Sequence, residues 1–100
     1  MRASLQRQRE LSEAEIAEQV LCCLEQAATA EPLAAVGALK NLIVFFHGSR
    51  ATHSFAIDEA RSSTFMAICE YAKALHRGQP ADRLRPMAIE AAEKWRALAE

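Results

Sequence analysis

The chain has 100 residues, with 12 lysines and arginines against 13 aspartates and glutamates for a net charge of -1, and 51% of it is hydrophobic. That length suits one domain with one core, and the balanced charge leaves no global field to draw nucleic acid or an anionic membrane surface. Alanine supplies much of the apolar content, as in Ala27-Ala28, Ala34-Ala35 and Ala91-Ala92, and it favours helix while burying little area, so the core is thin and gains from a second copy.

The longest apolar stretch, Leu33 to Phe46, is broken by Lys40 and Asn41 and is too short to span a bilayer. The N-terminus is basic but lacks the apolar run and cleavage site of a secretion signal. Three cysteines, with Cys22 and Cys23 adjacent, make no disulfide framework. These features lead us to expect a cytoplasmic protein.

Residues 1–11 read as a flexible basic arm carrying Arg2, Arg7 and Arg9, followed by a single helical domain over 12–100. Ser12 with Glu15 matches a capping box, Leu11 with Ile16 a hydrophobic staple, and the first helix is expected over about 12–29. Ile16, Val20, Cys23, Leu24 and Ala27 form its apolar stripe. The second helix runs from Pro32 to about residue 47, with Gly48 as its left-handed cap. Its side chains Leu33, Val36, Leu39, Leu42, Ile43, Val44, Phe45 and Phe46 surround nearly the whole circumference, which points to a central helix or to one completed by a partner.

A third helix over about 54–77 is capped by Thr52 or Ser54 and ended by Gly78, with Phe65, Ile68, Ala72 and Leu75 on one face. Ser62-Ser63-Thr64 in its middle predicts a kink or a second cap. Pro80 and Pro86 place one isolated turn and then a fourth helix over about 86–99, with Ala88, Ala91, Trp95 and Leu98 facing inward. The fold class is all-α, a compact arrangement like a four-helix bundle.

Chemistry is sparse. His47, His53 and His76 with Cys22, Cys23 and Cys69 show none of the spacings CxxC, HExxH or Glu-x-x-His, so no metal and no cofactor is expected. No nucleophile is paired with a base, and we expect no enzyme. The segment His47, Ser49, Arg50, Thr52, His53 and Ser54 gathers two histidines, one arginine and three hydroxyls at a helix start, the composition of an anion site or of an ordinary capped loop. The arm of Arg2, Arg7 and Arg9 is the one nucleic-acid feature, and acidic Asp58 and Glu59 oppose a reading helix beside it. The preferred reading is a non-enzymatic protein-interaction module that forms a homodimer or joins another protein. Its candidate contact residues are Leu39, Ile43, Phe45, Phe46, Phe65 and Trp95. A nucleic-acid regulator and a small anion-binding protein stand as alternatives.

Overall fold

The computed structural model describes residues 12–47 and 54–100, residues 44–47 by their backbone alone. Four helices follow one another: α1 Glu13–Ala27, α2 Pro32–His47, α3 Phe55–His76 and α4 Leu84–Ala99. The described residues contain no strand. Each helix packs on two neighbours, α1 on α2, α2 on α3, α3 on α4 and α4 on α1. The C-terminal ends of α1 and α3 and the N-terminal ends of α2 and α4 meet around one depression, while Glu13, Arg61 and Trp95 meet at the opposite end. The topology is therefore up, down, up, down, the outcome that short connections impose on consecutive helices.

Local signals in the chain explain where each helix begins. The Ser12 hydroxyl accepts from the Glu15 amide at 3.1 Å and the Glu15 carboxylate accepts from the Ser12 amide at 2.9 Å, completing the capping box. Ser54 caps α3 by accepting from the Ile57 amide at 3.2 Å. At its far end, Gly78 adopts φ 68°, the Gln79 amide donates to Ala74 at 2.8 Å and the Gly78 amide to Leu75 at 3.2 Å. That pair of bonds is the Schellman closure, which a left-handed glycine makes without strain. The staple residue Leu11 and the cap Gly48 lie outside the described residues.

Three local expectations change. The helix α3 runs unbroken through Ser62-Ser63-Thr64, because Thr64 is buried and its hydroxyl donates to the Ala60 carbonyl at 2.8 Å instead of competing for a new cap. Helix α4 starts at Leu84 instead of Pro86. The turn after Pro80 feeds straight into it, with the Leu84 and Arg85 amides both donating to Ala81, and Pro86 falls in the first turn where an amide proton has no intrahelical partner. Helix α2 is not central: among the described residues it touches only α1 and α3, and Leu33 at its start is 80% exposed.

Trp95, Leu24, Leu39, Ile68, Val20 and Thr64 are the large side chains wholly withdrawn from solvent, surrounded by alanines from every helix. Helix α1 buries Ile16, Ala17, Val20, Leu21, Leu24 and Ala27, a face wider than the expected stripe because it packs on two neighbours. At the end of the bundle the Trp95 indole donates to a Glu13 oxygen at 2.9 Å, the other Glu13 oxygen lies 3.7 Å from the Arg61 guanidinium, and Arg61 also donates to Asp58 at 2.8 Å. Arg61 is buried, so its charge depends on these carboxylates.

Removing both the charge and the acceptor should therefore cost more than removing the charge alone. Glu13→Ala is expected to destabilise the fold by about 2–4 kcal/mol, and Glu13→Gln, which keeps an acceptor for the indole, by clearly less. Urea unfolding followed by circular dichroism at the helical band checks both, and equal losses in the two variants would mean that an uncharged acceptor for the indole contributes nothing and that the negative charge beside Arg61 carries the whole effect.

Candidate functional site: an outer groove and a cavity at the end of the bundle

The face of α3 and α4 turned away from the other helices carries an open groove of about 710 Å³. Its α3 wall holds Ala56, Ala60 and Ser63, spaced by three and four so that they line up on one side of the helix, with the Glu59 carboxylate beside them. Small side chains there leave the α3 backbone close to the surface. The α4 wall presents Met87, Glu90, Ala91, Lys94 and Leu98 at the same periodicity. Met87 is 58% exposed and Leu98 44%. Large apolar side chains so open to water along one valley are the usual mark of a contact surface, and methionine adapts to whatever shape is laid on it.

A second depression of about 340 Å³ lies where the helix ends converge around the α1–α2 and α3–α4 connections. Ala27, Ala35, Leu75 and the ring of Tyr71 form its apolar walls, and Asp82 and Arg85 stand on it from the start of α4. Tyr71 is only 4% exposed, yet its hydroxyl has no hydrogen-bond partner among the described residues. Since no side-chain polar atom among the described residues is both sealed from solvent and unpartnered, that hydroxyl reaches solvent, on a residue that lines the cavity. Burial pushes it above the usual phenol range, against the pull of Arg85 and with smaller upward contributions from Asp82 and Cys23.

The structure divides the residues expected to form a contact surface. Leu39 and Trp95 are core, fully enclosed within a single subunit, because the periodicity that made them prominent is the periodicity of the buried face. They cannot reach a partner in the folded chain. Ile43 and Phe65 are partly buried against the same core. The side chains of Phe45 and Phe46 lie outside the described residues, as do Arg2, Arg7 and Arg9, the side chain of His47, and Ser49, Arg50, Thr52 and His53. Of that anion-site set Ser54 is described, and its hydroxyl is engaged in capping α3. Leu98, expected inside, is instead on the groove.

Sequence reasoning missed the groove because its members are three alanines, one serine, three charged side chains that read as solvated, and Met87 with Leu98, the latter expected to face inward. Their spacing is legible only once α3 and α4 are known to be neighbours. It missed Tyr71 and Arg85 for a similar reason, since they lie 14 positions apart and meet only at the end of the bundle.

Among the described residues no group of three or more histidine, cysteine, aspartate or glutamate side chains is placed to hold a metal ion. The thiols are unactivated at two of three positions. Burial raises the Cys23 thiol, helped by Cys22, and burial raises Cys69 against the pull of Lys73, with Glu70 adding to the rise. Cys22 is exposed and lies 3.8 Å from the Gln26 amide nitrogen. No described helix is long and apolar enough to cross a membrane. Comparison with protein-family models, with curated proteins and with solved structures returned no match.

Tyr71 is the only tyrosine, so ultraviolet titration reads it alone. In the folded chain its midpoint should lie above the ordinary value of about 10 and fall back to it in denaturant. Because the folded state holds the proton more tightly, the associated stability is complete below the unfolded midpoint and drains away as pH rises through the folded one. An unchanged midpoint on unfolding would remove the buried phenol from the account.

Proposed function

We propose that the chain is a non-enzymatic helical interaction module whose partner is a second copy of itself, docked along the α3–α4 groove. The carrying observation is the order of side chains on the exposed stripe of α4: Met87, Glu90, Ala91, Lys94, Leu98. Turned end for end about the level of Ala92, this stripe lays Met87 on the second copy's Leu98 and Glu90 on the second copy's Lys94, and the reverse. Apolar ends meet apolar ends and each acid meets a base. Self-complementarity of this kind is what a two-fold contact requires. Ala91, close to the axis, and Ala60 on the facing wall let the helices approach closely.

Size sets the strength. Helix α4 has 16 residues, or about 24 Å of length. A contact that long and two helices wide falls at the small end of stable interfaces, which corresponds to dissociation in the micromolar range. The charge pairs on the groove fix orientation more than affinity.

Sedimentation equilibrium from about 1 to 500 µM should show monomer passing into dimer. Lys94→Glu, which sets acid against acid, should weaken the dimer about tenfold or more, and adding Glu90→Lys to it should restore association. Helix content by circular dichroism controls for the neighbouring pair on the same helix. A strict monomer across the range eliminates self-pairing and leaves a foreign protein as the occupant; failure of the double exchange to restore binding removes this interface.

A further inference from the structure

The cavity at the end of the bundle has features that packing alone does not call for. Tyr71 is almost wholly buried, yet its hydroxyl reaches solvent and is committed to no acceptor or donor among the described residues. Arg85 is half-buried, and neither its side chain nor that of Asp82 takes part in an ion pair or hydrogen bond among the described residues. The contrast with Arg61 at the other end is direct. There a buried guanidinium is held by two carboxylates, whereas Arg85 has an acid three residues away on its own helix turn and remains apart from it. A tyrosine hydroxyl and a guanidinium thus converge unpaired on about 340 Å³ of space walled by Ala27, Ala35 and Leu75.

We propose that this cavity binds a small carboxylate with a short hydrocarbon body, the carboxylate held by the Arg85 guanidinium and the Tyr71 hydroxyl. The volume lies at the lower end of small-ligand pockets, enough for a handful of heavy atoms. The small apolar surface left by Ala27, Pro32, Ala35 and Leu75 takes only a short hydrocarbon, and a planar guanidinium matches a planar carboxylate with two parallel hydrogen bonds. Tyr71 keeps its proton because burial disfavours the phenolate, so it serves as a donor. One cation with Asp82 beside it suits a singly charged head, and a phosphate dianion would meet that carboxylate at the rim. The site is independent of the groove and draws on no residue of it.

The test is a backbone amide chemical-shift titration of the full chain with butyrate, benzoate, 2-aminobutyrate and inorganic phosphate in turn. Butyrate or benzoate should give saturable shifts centred on Ala27, Ala35, Tyr71 and Leu75, with phosphate weaker than either. Arg85→Gln should weaken binding about tenfold or more and Tyr71→Phe several-fold, both with the spectrum of the folded protein preserved. Tighter binding of 2-aminobutyrate than of butyrate supports the same site and assigns Asp82 to the amine. No saturable shift up to about 50 mM ligand, equal binding by Arg85→Gln, or phosphate matching the carboxylates overturns the proposal.

Discussion

The Glu13 carboxylate stands where three helices meet, one oxygen accepting the Trp95 indole proton and the other facing the buried Arg61 guanidinium, which Asp58 holds from its own helix. An alanine-rich core gives little shape to distinguish one helix register from the next, since methyl groups slide past one another at small cost. A buried charge does distinguish them. If α1 slipped by a turn, Arg61 would lose a carboxylate and the indole its acceptor, and a charge left in low dielectric without its partner costs several kcal/mol. The pair also joins α1 to α3 across the diagonal of the bundle, where the backbones make no contact of their own. The register of the other elements follows from that junction, including the convergence of helix ends that forms the cavity.

Much of the architecture was legible before any coordinates. The capping box at Ser12, the serine cap at Ser54 and the glycine closure at Gly78 are short-range devices whose geometry is written within a few residues, and each is found in place. The apolar stripes of α1 and α3 are likewise local, so the all-α reading stands, with four helices among the described residues. What local patterning could not supply is rank. It offered Leu39 and Trp95 as contact residues and put Leu98 on an inward stripe, but the first two are sealed in the core and the third is open to water. It passed over Arg61 because an arginine reads as solvated until a carboxylate 48 positions earlier is known to lie beside it.

The helix boundary at Pro86 is instructive for a different reason. Proline is tolerated anywhere in a first turn, so its presence bounds a helix start to within a turn and does not set the first residue. Arg83 carries helical dihedrals and makes no side-chain cap, so the chain enters α4 from a turn already wound in the right sense. That early entry is what brings Arg85 onto the cavity, three residues after Asp82 and at the end of the bundle that Tyr71 faces.

Helix α4 shows how a thin core and an unfinished surface arise from one cause. Ala88 and Ala92 point inward beside Trp95, letting α4 settle close against α1 and α3, while Ala91 points outward and leaves the valley between α3 and α4 unfilled. A leucine or phenylalanine at Ala91 or Ala60 would fill that valley from within the subunit and cover part of Met87 and Leu98 itself. With methyl groups there instead, the apolar flanks are too far apart to cover each other, and water is displaced from them only by a side chain brought from outside. The alanine content that makes the helices easy to form and easy to bring together therefore also leaves the subunit with greasy surface that its own fold cannot hide, and it leaves that surface on the helix whose exposed side chains are ordered to match their own reversal.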